Sequence, residues 1–208
     1  MTEKQKRHSK LFKGYEDVTK GKKLRDLVAE RGDVSAGRFV PEQIMPRFTL
    51  GEYLKNLACK ADAVVVGTVK DTSSQVIDEG TFIFTDYQIV VEEIIKDNAF
   101  APLPAAAEIT VSRSGGSVRL NGHIVRTIDY SQQPLDKGSK YLMFLRYAPP
   151  TGDYQSFNDS LSEDTFRLRG TKLTQVSSIP LPLGTGVETD AISFINQVRN
   201  ALKDPCGN

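Results

Sequence analysis

The stretch TFIFTDYQIVVEEIIK, Thr81 to Lys96, decides the fold class. Its β-branched and aromatic residues suit a pleated surface, and Ile83, Thr85, Tyr87, Ile89 and Val91 fall on one face. A period of two over this length predicts a long strand. Upstream, Ala63–Val69 is a short β-branched run that predicts a buried strand, and downstream Ile109 and Val111 mark a third. Asn121-Gly122 readily takes the positive φ angles of a type I′ turn, which pairs Leu120 with His123, Arg119 with Ile124 and Val118 with Val125.

Further on, Asp136-Lys137-Gly138 reads as a turn into Tyr141–Tyr147, apolar on both faces and therefore a central strand. Tyr154–Phe157, Thr165–Leu168 and Lys172–Val176 are shorter strands, the last two joined through Arg169-Gly170-Thr171.

The period changes to 3.6 at both ends. Thr49 and Glu52 form a capping box ahead of the apolar face Leu50, Tyr53, Leu54, Leu57 and Ala58, predicting a helix to about Lys60. Leu24, Leu27 and Val28 suggest a short helix around 22–31. Val40–Pro46 reads as an extended connector, because each proline biases the preceding residue away from helix. After the Pro/Gly linker Ile179–Gly186, Ala191, Ile192, Ile195, Val198 and Leu202 form the stripe of a last helix, stopped at Asp204-Pro205.

Helix, seven or eight short strands, then helix predicts a mainly β (α+β) domain: a small antiparallel OB-like barrel or sandwich with flanking N- and C-terminal helices. The organisation divides into a basic head and connector at 1–46, a helix plus barrel at 47–178, and a linker with an amphipathic helix packed on the barrel at 179–208.

The net charge of +1 hides an asymmetry. Residues 1–25 hold nine basic and three acidic side chains, leaving 18 basic and 23 acidic in the rest. Such a head, poor in apolar residues, is expected to be mobile, and it offers an electrostatic contact to nucleic acid or lipid. No run approaches the ~20 apolar residues of a spanning helix. With no leader-like segment the chain reads as cytoplasmic as written, and as periplasmic or secreted if an export signal has been removed. Cys59 and Cys206 are read as free or buried thiols in a reducing compartment, with a Cys59–Cys206 bridge open to them in an oxidising one.

Ala61–Val69, Thr85-Asp86-Tyr87 with Val91–Lys96, Ile109–Val111 with Gly115-Gly116, and Lys140–Leu145 together resemble uncharacterised bacterial proteins built on an OB-like barrel. These are similar in outline to the netrin and tissue-inhibitor-of-metalloprotease modules. The resemblance covers less than half the chain and implies a fold, since its positions are strands and turns. Inhibitor modules of that type act through an N-terminal cysteine wedge, whereas Cys59 lies at the end of a helix, so that mechanism is not carried over.

The search for chemistry yields few candidates. His8 falls in the head and His123 beside a hairpin turn, and no serine or cysteine is placed by spacing to use either. Arg113 with Gly115 and Gly116 is the one candidate anion nest, with a glycine bend as the plainer reading. Asp153, Asn158, Asp159, Glu163 and Asp164 supply oxygen ligands without EF-hand spacing and read as a solvated loop. Arg31-Gly32-Asp33 spells an adhesion tripeptide of chance length. Phe82, Phe84, Tyr87 and Phe144 fall at core-like positions, not on a stacking platform.

No cofactor, catalytic set or metal site is expected. The leading expectation is a non-catalytic binding or scaffold domain that engages a protein or small polar ligand through loops. Two alternatives are nucleic-acid association through the head and barrel, and a hydrolase with a pocket shaped by Ala101–Ala107 and Ile179–Gly186.

Overall fold

The computed structural model describes residues 2–13, 16–38, 49–130, 132–157, 164–176, 188–203 and 206. The chain opens with α1 (Glu3–Ser9), which runs into a 3-10 turn at Lys10–Phe12, and a second 3-10 turn follows at Glu16–Thr19. Then come α2 (Leu24–Arg31), β1 (Val34–Arg38) and α3 (Leu50–Lys60). The strands β2 (Ala63–Val76), β3 (Ile83–Lys96), β4 (Glu108–Ser114), β5 (Gly116–Leu120), β6 (His123–Asp129), β7 (Lys140–Ala148), β8 (Asp153–Gln155), β9 (Thr165–Arg169), β10 (Lys172–Gln175) and β11 (Thr189–Asp190) lead to α4 (Ala191–Ala201).

Eight strands form one mainly antiparallel sheet in the order β11-β10-β9-β7-β2-β3-β4-β8. β8 runs parallel to β4 and also pairs antiparallel with β7, so the strands β7, β2, β3, β4 and β8 make a ring-like circuit. β5 and β6 form the predicted Asn-Gly hairpin, with Asn121 at φ 50° and Gly122 at φ 85° and Leu120 opposite His123. β1 adds to that hairpin in parallel with β6.

Strand alternation separates two apolar clusters. Val65, Val69, Tyr87, Ile89, Val111, Met143 and Tyr154 pack on the inner face of the circuit. Val64, Val66, Leu142, Phe144 and Phe166 point the other way, against Leu54 and Leu57 of α3 and Phe194 and Val198 of α4. Both faces of β2 and β7 are covered, which is why Val64–Val66 and Tyr141–Leu145 are apolar without interruption. α3 starts with the predicted capping box at Thr49 and Glu52.

Four expectations need correction. The head expected to be mobile is docked: α1 carries its own capping box, Thr2 with Gln5, and His8 and Phe12 are fully buried. Lys4, His8 and Phe12 recur every four residues and share one side of this helical segment, so it offers the sheet both ionic and apolar contacts.

Second, the thiols are joined. Cys59, on the last turn of α3, bonds Cys206 beyond α4 across 147 residues, a closure that stabilises by about 2–5 kcal/mol. Third, β2 continues past Val69 through polar Lys70–Gln75 because β3 supplies hydrogen-bond partners as far as Val76. Fourth, Ile192 stands exposed and Phe194 takes its place in the stripe of α4. Val40–Pro46 and Ile179–Gly186 lie outside the described residues.

Candidate functional site

At one end of the circuit the ends of β2, β3 and β4, the β5–β6 hairpin and the segment 132–135 enclose a cleft of about 450 Å³. Its walls carry the hydroxyls of Thr72, Ser74, Thr85, Ser114, Ser117 and Thr127, with Arg126, Asp129 and Gln132. They come from both faces of the strands: Thr85 shares the face of Tyr87, whereas Ser114, at the end of β4, faces away from the inner cluster that holds Val111.

The polar groups are fixed by one another. Ser114 Oγ donates to Asp129 Oδ2 at 2.7 Å, and Gln132 Oε1 accepts the Ser114 N–H at 3.1 Å. Gln132 Nε2 donates to the Phe157 carbonyl at 2.7 Å. Two tyrosines hold the following residues: Tyr87 Oη accepts the Leu135 N–H at 3.3 Å, and Tyr141 Oη accepts the Asp136 N–H at 2.8 Å. Burial pushes the Tyr87 phenol up, against the pull of Arg113, so it stays neutral. The wall is therefore organised before a ligand arrives.

Gly115 and Gly116 line this cleft, but Arg113 does not join them there. The Gly115 N–H donates to the Ile83 carbonyl at 2.9 Å and is spent in the fold. Arg113 shares the face of Val111 and is buried, its Nη1 donating to Thr165 Oγ1 at 2.7 Å with Asp164 at 3.9 Å. Burial raises the Asp164 carboxyl, while Arg113 opposes the rise. The two glycines serve close approach instead. A Cβ at Gly116 would lie 2.3 Å from Thr85 Oγ1 and 2.8 Å from Ser74 Oγ, and Gly116 sits at φ 145°.

His8 was the residue sequence reasoning missed. Its ring donates from Nδ1 to Asp86 at 2.8 Å and from Nε2 to Asp153 Oδ2 at 3.0 Å, while Ser112 Oγ donates to Asp86. Lys4 adds a pair to Asp153 at 3.0 Å. Burial would depress the imidazole, but the bonds to Asp153 and Asp86 prevail and raise it from 6.5 to about 9. For Asp153 burial likewise pushes up, yet His8 and Lys4 hold the carboxyl low. An imidazolium with both N–H groups on carboxylates has no lone pair to take a proton, so this cluster is a latch for α1. The usable signal was Thr2-x-x-Gln5 followed by polar and apolar residues at i, i+4 spacing.

The other candidates disperse. His123 is half-exposed, with Nδ1 3.2 Å from Asp33, and Gly32 of the tripeptide ends α2 at φ 76°. Asp153 belongs to the latch and Asp164 accepts the Phe157 N–H, while Asn158, Asp159 and Glu163 lie outside the described residues. No group of three or more His, Cys, Asp or Glu is placed to hold a metal among the described residues. Phe82, Phe84, Tyr87 and Phe144 are all buried. The loop after β3 is braced by Asp97 Oδ1, which accepts the Asn98 and Leu103 N–H groups at 2.8 and 2.9 Å, and it leaves Phe100 82% exposed.

No described helix is long and apolar enough to cross a membrane. No protein-family model matches the chain, and no curated protein matches it.

Proposed function

We propose that this chain is a binding module, an OB-like barrel whose ligand seat is the hydroxyl-lined cleft beside Gly115-Gly116 and whose ligand is a small polar molecule. The barrel reading is supported by the circuit of five strands, in which β8 joins β4 in parallel and β7 antiparallel. The observation that carries the function is the cleft itself: about 450 Å³, lined by hydroxyl, amide, carboxylate and guanidinium groups, of which Ser114, Asp129 and Gln132 are fixed by mutual hydrogen bonds.

Nucleic-acid association through the head is the less favoured reading, because the strand aromatics that would stack bases are buried. The Cys59–Cys206 bridge favours an oxidising compartment, where disulfides persist.

Isothermal calorimetry and thermal shift with sugars, amino acids and short peptides test the reading. At least one class is expected to bind saturably, and Ser117→Trp, which fills the cleft from an exposed position, to abolish that binding with the fold intact. If no class binds, or if binding survives Ser117→Trp, the cleft is not the seat.

A further inference from the structure

Across Gln133 and Pro134 from the cleft lies a second cavity of about 400 Å³, which shares those two residues as a wall. Its chemistry is cationic. Arg167 and Arg169 are two apart on β9 and therefore share a face, and Thr174 stands opposite Arg167 on β10. The two guanidiniums differ in what already holds them. Arg167 is half-buried, bonded to Ser139 Oγ at 2.6 Å, paired with Asp136 at 2.7 Å and set over the Tyr141 ring at 6.0 Å. It is a positioned donor with its charge already matched.

Arg169 makes no ion pair among the described residues, and it faces a second cation, Lys172, directly across the hairpin. Like charges opposite one another on a strand pair are unfavourable. Lys172 has its counter-charge in Glu188, whereas Arg169 has none among the described residues. An incoming anion would supply it, and a guanidinium matches the two oxygens of a carboxylate or phosphate.

We infer that this cavity is an anion subsite, so that the ligand of the adjacent cleft is a hydroxylated molecule bearing a carboxylate or phosphate group. The inference rests on the cleft being the ligand seat. Arg169 supplies the charge, and Arg167 and Thr174 orient the group. The polar body of the ligand passes over Gln133-Pro134 into the hydroxyl-lined space. The two residues that follow this segment, Leu135 and Asp136, are held through their N–H groups by Tyr87 and Tyr141, which anchors the partition between the two seats at one end.

Calorimetry on the full chain with three disaccharides, one neutral, one ending in a uronic acid and one phosphorylated, reads the inference directly. A charged probe is expected to bind at least ten-fold more tightly than the neutral one. Arg169→Gln should remove that advantage while leaving the neutral affinity unchanged, and Arg169→Lys should retain part of it. The carboxylated and phosphorylated arms show which anion the subsite takes. Equal affinity for all three, or an advantage that survives Arg169→Gln, overturns the subsite and leaves the cleft standing. Absence of binding by every probe overturns the inferred hydroxylated anionic ligand, while the cleft stands or falls by the wider panel of sugars, amino acids and peptides, and Ser117→Trp, which blocks the cleft alone, separates the two seats where binding occurs. Arg169 is exposed on a hairpin edge, so these substitutions do not threaten the fold.

Discussion

Two helical layers cover the sheet, and they hold to it by opposite physics. On one side α3 and α4 bury Leu54, Leu57, Phe194 and Val198 against Val64, Phe144 and Phe166, with a disulfide joining the ends of the pair. Elsewhere on that outer face, over β3, β4 and β8, α1 places a buried imidazolium between Asp86 and Asp153, with Phe12 stacked on Phe84 at 5.2 Å beyond it. The first layer depends on apolar area, which protons do not touch. The second depends on the charge of one ring as well as on the apolar contacts of Phe12. Similar burial thus gives one region that is indifferent to pH and one that is not.

The apolar side should break hardest. Phe166 packs against Phe194 at 4.9 Å and Phe144 at 6.3 Å, so Phe166→Ala is expected to cost about 3–5 kcal/mol. Denaturant unfolding should show this loss nearly unchanged between pH 6 and pH 9.5. A loss that varied strongly across that range would mean the two layers are not independent.

The latch should give a smaller, pH-dependent effect. His8 is raised from 6.5 to about 9, so its contribution is complete below 6.5, declines as pH climbs from there, and is gone above about 9. Asp153 is lowered, so its share is present above its ordinary 3.8 and is lost as pH falls below that value. Hydrogen exchange of Glu3–Ser9, corrected for the intrinsic rate, should show protection at pH 6 and loss of it near pH 9.5. His8→Ala is expected to cost about 2–3 kcal/mol at pH 6, since two carboxylates lose their buried partner, and little at pH 9.5. Constant protection across the range would show that Phe12 alone docks the helix.

The two capping boxes sharpen the contrast at the smallest scale. Thr49→Ala and Thr2→Ala each remove a hydroxyl that accepts a backbone N–H, at a cost of about 1 kcal/mol. The Thr49 loss should appear in global unfolding, because α3 belongs to the apolar core. The Thr2 loss should appear only as faster local exchange in α1. A global effect from Thr2→Ala would make the N-terminal segment part of the cooperative unit.

Much of the fold was legible in particular residues. The alternation from Ile83 to Val91, the Asn121-Gly122 turn and the Thr49–Glu52 box are local signals whose physics is completed within a few residues. The candidate site was less legible. Gly115 and Gly116 stood out, but their role depends on Thr85 and Ser74 from other strands, and Arg113 was turned away from them by strand alternation. The docking of His8 was invisible for a similar reason: its partners are 78 and 145 residues away.

From its sequence alone, this protein was bound to place a β-rich middle between amphipathic helices, because hydrophobic period and turn chemistry act over short distances along the chain. Tertiary structure alone decided that two distant thiols meet, that a basic head is anchored through its histidine, and that hydroxyls from several strands share one cleft. Those outcomes depend on register and on long-range approach, where charge, burial and hydrogen-bond partners are set by which segments are brought together.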